Sequence, residues 1–125
     1  MKKTALLLAC VFSAALHIPA YAVNWVPLLH NTPAERFNEE DMQMFLTATK
    51  KALGETPDGQ TVSWENSATK ARGSILVEKT GTRGGKLCKS IRVTNEANNR
   101  KATSVLNLCQ KKNGEWSFTN PAEKK

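Results

Sequence analysis

Two sets of residues in this 125-residue chain have types and spacings that bear on chemistry. The first is a cysteine pair, Cys88 and Cys109, placed symmetrically about the dipeptide Asn98-Asn99. Asparagine tolerates the positive φ that a type I′ turn requires at both central positions. A hairpin turning at Asn98-Asn99 therefore sets Cys88 directly opposite Cys109, at a non-hydrogen-bonded pair where the strands approach most closely. That separation suits a disulfide, which is worth roughly 3 kcal/mol by loop-closure entropy. The second set is cationic: Lys70, Arg72, Arg83, Lys86, Lys89 and Arg92, in or beside two predicted strands. Such a field attracts anionic polymers such as lipopolysaccharide, peptidoglycan or teichoic acid. The same charges also serve solubility and protect strand edges from aggregation. Nucleic acid is not the expected partner, because residues 70–85 contain no aromatic side chain on which bases could stack.

Catalytic constellations do not assemble on paper. Beyond the first 22 residues the chain has one histidine, His30, and no serine follows it until Ser63. Nothing resembles a nucleophile elbow. Glu39, Glu40 and Asp41 are adjacent at a predicted helix start, where capping accounts for them, and Glu65 stands as a lone acid after Trp64. Two cysteines and a distant His30 lack the ligand count and spacing of a metal site, and residues 81–85 fit no phosphate-binding glycine loop. No catalytic, cofactor-binding or metal residue is assigned, and the sequence does not argue for an enzyme.

The elements that position these residues begin after a leader. Lys2 and Lys3, an apolar stretch over residues 4–18 and Ala20-Tyr21-Ala22 read as a cleaved secretory signal covering residues 1–22. A competing lipobox at Leu7-Leu8-Ala9-Cys10 has too short an apolar run before Cys10. Removal of the leader takes away one of three cysteines and leaves an even number for an oxidising compartment. No later stretch approaches the length of a membrane span. The net charge of +7 falls when Lys2 and Lys3 are lost, and what remains is uneven: residues 23–65 are net acidic and residues 66–125 net basic.

Residues 23–37 form an apolar arm with Trp25 and Pro27, followed by a short helical turn opened by Thr32-Pro33-Ala34-Glu35. Asn38 starts the main helix, with Met42, Phe45, Leu46 and Leu53 at helical spacing and Thr49 as the polar member of the stripe. Gly54 is expected to close that helix and Pro57 to prevent its restart. From residue 60 the period changes to two. Strands are predicted over 60–66, 73–80, 86–95, 100–110 and 115–119, with 81–85 a turn or loop and 121–125 a disordered tail. The fold class is α+β: one main helix on a five-stranded antiparallel meander, with one disulfide and the domain spanning residues 38–120.

Register sharpens this picture. Leu87, Ile91, Val93, Leu106 and Leu108 should lie under the helix, while Cys88, Ser90, Arg92, Thr94, Val105 and Cys109 face away. A two-residue turn at Asn113-Gly114 would pair Cys109 with Phe118 and make Trp116 and Phe118 shields of the disulfide. Trp64 and Trp116 are expected in packing rather than as binding platforms.

Trp64-Glu65-Asn66-Ser67, Gly73-Ser74-Ile75, Gly85-Lys86-Leu87-Cys88-Lys89, Cys109 and Gly114-Glu115-Trp116 follow one another in an order and spacing that resembles the C-terminal domain of the 17 kDa outer-membrane surface antigen family. The resemblance spans roughly residues 38–118. It implies a bacterial envelope protein whose domain has no assigned catalytic role. Ala68 stands where the family has glycine, and no glycine-zipper segment is present, so outer-membrane attachment does not carry over. The expected function is that of a non-catalytic secreted envelope protein, in the periplasm or at the outer-membrane surface, binding an envelope component through its basic sheet. The alternatives are a small periplasmic inhibitor or adaptor that inserts its apolar arm, residues 23–29, into a protein partner, and a hydrolase of envelope polymers.

Overall fold

The computed structural model describes residues 29–119. The predicted signal, nearly all of the apolar arm and the predicted tail lie outside the described residues. A 3-10 helix, Pro33–Arg36, precedes the main helix α1, Glu39–Glu55, and five strands follow: β1 Thr61–Glu65, β2 Arg72–Arg83, β3 Lys86–Ala97, β4 Arg100–Gln110 and β5 Trp116–Phe118. They form one antiparallel sheet in sequential order, the expected meander.

The short turn starts as its sequence predicts. The Thr32 side chain accepts a hydrogen bond from the Ala34 N–H, with proline in the first turn. The Glu35 carboxylate does not close a reciprocal box; it bonds His30 instead. At α1 the box is complete. The Asn38 side chain accepts from the Asp41 N–H at 2.8 Å, and the Asn38 N–H donates to Asp41 Oδ2 at 3.0 Å. Gly54 does not end the helix. It continues to Glu55 and is capped by Thr56 in extended geometry, with Pro57 next. A glycine closes a helix when it adopts the left-handed conformation, and Gly54 does not adopt it.

The core lies between α1 and one face of the sheet. Phe45, Ala48, Ala52 and Leu53 of α1 meet Trp64, Ile75, Val77, Ile91, Val93 and Leu108. Thr49 is buried in the stripe because its hydroxyl donates to the Phe45 carbonyl one turn back, at 2.9 Å. Phe37 packs edge-on against Trp64 with ring centroids 5.1 Å apart. Leu106 is half-buried beside this core, but Leu87 is 42% exposed and does not pack against it.

Turn chemistry sets the registers. Asn98 and Asn99 have φ of 51° and 61°, and β3 pairs with β4 so that Cys88 faces Cys109. The disulfide is formed, with Cα atoms 4.0 Å apart. Gly84 and Gly85 likewise have positive φ, which makes a tight turn between Arg83 and Lys86. The segment expected as a loop over 81–85 is therefore strand up to Arg83. A bulge between Val77 and Lys79 shifts the β2–β3 register by one residue.

The second hairpin departs from expectation. The Gly114 N–H donates to the Lys111 carbonyl, and the Lys111 N–H to the Glu115 carbonyl, so the loop has three residues, with Gly114 at φ 87°. A type I turn followed by a left-handed glycine is the usual three-residue solution. The extra residue moves the register by one and reverses every side chain of β5. Leu108 pairs with Phe118, Cys109 with Ser117 and Gln110 with Trp116. Trp116 and Phe118 thus pack against the core, and they do not shield the disulfide.

Candidate functional site: two charged ends of an open sheet face

The sheet face turned away from α1 is uncovered by any described element and carries most of the polar chemistry. On β2 and β3 two arginines are paired with carboxylates: Arg72 Nε with Glu96 Oε2 at 3.0 Å, and Arg92 Nε with Glu78 Oε1 at 2.6 Å. The hydrogen bond from Arg72 holds the Glu96 carboxyl below its ordinary range, with the Arg72 and Lys101 charges adding to it. Both pairs are exposed, so each contributes little to stability.

The six cations singled out from the sequence do not form one patch. Arg72 and Arg92 are engaged as above. Lys89 is buried on the helix side, where its ammonium donates to the carbonyls of Ala52 and Thr56, each at 3.4 Å. The last turn of α1 contains no basic residue, so Lys89 supplies from β3 the positive charge that a helix C-terminus favours. Lys70 sits in the β1–β2 connection with φ 66°. Arg83 and Lys86 remain, directly paired across the Gly84-Gly85 turn at the tip of the β2–β3 hairpin. The run 81–87 is exposed throughout, including Leu87. Lys111 and Lys112, in the turn after β4, lie at the same end of the sheet and were not singled out from the sequence. Only the hairpin geometry brings them there.

The isolated acids and the histidine fall apart as catalytic candidates. His30 pairs with Glu35 on an exposed turn. Asp41 is 2% exposed. Its Oδ1 accepts from Asn66 Nδ2 at 2.8 Å and from the Thr69 hydroxyl at 2.6 Å, while its Oδ2 closes the helix cap. Burial pushes its carboxyl up, but the hydrogen bonds from Thr69, Asn38 and Asn66 outweigh this, and its pKa is lowered. The carboxylate therefore ties the start of α1 to the β1–β2 connection. Among the described residues no group of histidine, cysteine or acidic side chains is arranged to hold a metal ion.

The residues of the motif have structural work in this geometry. Asn66 holds Asp41. Gly73 pairs with Trp64 on one side and Asn95 on the other. A Cβ on Gly73 would stand 2.6 Å from Trp64 Nε1, 2.4 Å from Asn95 Oδ1 and 2.7 Å from the Thr94 carbonyl, so only glycine lets the indole lie across the strand.

A model of the 17 kDa outer membrane surface antigen matches residues 51–117, from the last turns of α1 into β5. The chain belongs to the 17 kDa outer membrane surface antigen family. The matched span contains Trp64, Gly73, Cys88 and Cys109, which fix the core and the disulfide hairpin. Family membership points to a non-catalytic protein of the cell envelope. No curated protein and no solved structure matches the chain. Among the described residues, no helix is long and apolar enough to cross a membrane.

Proposed function

We propose that this surface antigen is a non-catalytic protein exported past the inner membrane, and that it attaches peripherally to an anionic, phosphate-bearing lipid surface of the envelope. The contact is the hairpin end of the sheet. One observation carries the reading: Arg83 and Lys86 face each other across a two-glycine turn, at a hairpin tip whose residues 81–87 are all exposed, Leu87 among them. Like charges directly opposite in a sheet destabilise it. An anion between them reverses that cost. Lys111 and Lys112 lie at the same end, where Glu115 opposite Lys111 offsets one of the two charges, and each uncompensated cation near an anionic lipid surface contributes about 1 kcal/mol. The exposed leucine, next to Lys86 in sequence but on the reverse face of the tip, suits an edge-on entry of the tip into the boundary between headgroup and acyl chain.

The test is flotation of the exported chain, from Val23 onward without the apolar leader, with vesicles of phosphatidylglycerol and, separately, of phosphatidylcholine. Binding is expected only to the anionic vesicles. It should fall at least tenfold when salt is raised from about 0.05 to 0.5 M, and the Arg83→Glu/Lys86→Glu variant should lose it. Equal binding to both vesicles, or unchanged binding by the variant, rejects the reading.

A further inference from the structure

At the opposite end of the sheet a second surface has a different charge pattern. Register places Glu65, Arg72, Glu96 and Lys101 side by side on four consecutive strands, all on the open face. The signs alternate across the row. Its members feel one another: Glu96 and, more weakly, Glu65 raise Arg72, and Lys101 contributes to the lowering of Glu96. The next row on the same face is made of hydroxyls, Ser63, Ser74, Thr94 and Thr103, with Thr94 Oγ1 and Thr103 Oγ1 3.0 Å apart. Ser63, Ser74 and Thr94 of this second row, with Gly73 and Trp64, line a shallow depression of about 440 Å³ that the four charged side chains border.

The row has no net charge, so a polyanion meets carboxylates there and a polycation meets Arg72 and Lys101. A ligand carrying both signs meets partners for both. Neighbouring strands are about 4.8 Å apart, so like charges in the row recur at about 10 Å with the opposite sign midway. The hydroxyls donate and accept, as peptide groups require. Trp64 reaches the depression beside Gly73 but is buried, so a platform for stacking on a sugar ring is not what this face offers.

We propose that this depression binds a zwitterionic peptide, with ammonium groups on Glu65 and Glu96 Oε1 and carboxylates on Lys101 and the terminal N–H groups of Arg72, whose Nε keeps its bond to Glu96 Oε2. In the envelope, stem peptides released from the cell wall, whose alanine amine is free, carry both signs in this way. The inference goes beyond the lipid contact proposed above and uses the other end of the sheet.

The experiment titrates the isotope-labelled full chain with the tripeptide alanyl-γ-glutamyl-diaminopimelate and follows backbone amide shifts. Shifts are expected in residues 63–65, 72–74, 94–96 and 101–103. The affinity should fall at least tenfold for Glu65→Gln/Lys101→Gln, a pair of exposed positions whose exchange leaves the fold intact, as the unperturbed remainder of the spectrum would verify. N-acetylation of the peptide should weaken binding similarly. The Arg83→Glu/Lys86→Glu variant should bind the tripeptide as the parent does, which separates this site from the lipid contact. Absence of shifts at about 10 mM peptide, shifts centred elsewhere, or equal binding of the acetylated peptide overturns the proposal.

Discussion

Asp41 shows how one side chain can serve two levels of structure. The sequence reads Glu39, Glu40 and Asp41 as negative charge on a first turn, and Asp41 does cap the helix. Its second oxygen bonds residues 25 and 28 positions away, and no local spacing announces such partners. Asp41→Asn keeps the volume but removes the charge and turns one of two acceptors into a donor, which leaves either the Asn38 N–H or the Asn66 and Thr69 donors without their partner. A loss of about 3 kcal/mol is expected, read by urea unfolding at neutral pH. The pH dependence has a definite sign. The folded pKa of Asp41 is lowered, so its contribution is present above the unfolded value of about 3.9 and is lost as pH falls through the folded value. Stability should drop below about pH 4, and the drop should be smaller in Asp41→Asn. Gly73 is the other residue whose role needed coordinates. Gly73→Ala drives a Cβ against the Thr94 backbone carbonyl and the Trp64 ring, and should cost about 1–3 kcal/mol in the same assay.

At the scale of elements, the hairpin at Asn98-Asn99 was legible because both its turn and its strand lengths are local properties. The β4–β5 hairpin was not. Asn113-Gly114 suits a two-residue turn and equally the end of a three-residue one, and the sequence does not distinguish them. Burial of Trp116 and Phe118 against the core favours the longer loop. The bulge at Val77/Lys79 has no sequence mark either. The Thr80 hydroxyl and N–H both bond Asp58 just beyond it, a contact between distant segments. Deleting Lys112 should therefore be tolerated, since Lys111 and Glu115 still face each other over Asn113-Gly114. Deleting Glu115 puts Trp116 opposite Lys111 and turns both aromatics out of the core. A loss of about 2–4 kcal/mol with red-shifted tryptophan emission is expected. The disulfide, flanked by Gly81 and Ser117 instead of aromatic rings, belongs to the same scale. Replacing both cysteines by serine should lower unfolding free energy by roughly 3 kcal/mol, measured against the oxidised parent.

For the whole molecule, the sequence showed an acidic front and a basic sheet but could not show how folding divides the basic charge. Lys89 is drawn under the helix, Arg72 and Arg92 are matched by carboxylates, and Arg83 and Lys86 are left facing each other at one tip. A structural and a binding account of that last pair predict opposite things. If the pair serves the fold, removing a charge should leave stability unchanged or lower it. If it serves an anionic surface, the fold pays for function, and Lys86→Glu should do two things at once. It replaces a like-charge cross-strand pair by an opposite-charge one, which should raise unfolding free energy by about 0.5 kcal/mol at low salt. It should also weaken binding to phosphatidylglycerol vesicles several-fold, because one attraction of about 1 kcal/mol becomes a repulsion. Unfolding and flotation measured on the same variant give both readings. A variant that is more stable and binds less well marks the tip as a site kept at the expense of the fold; one that is less stable, or that binds undiminished, assigns the two charges to structure.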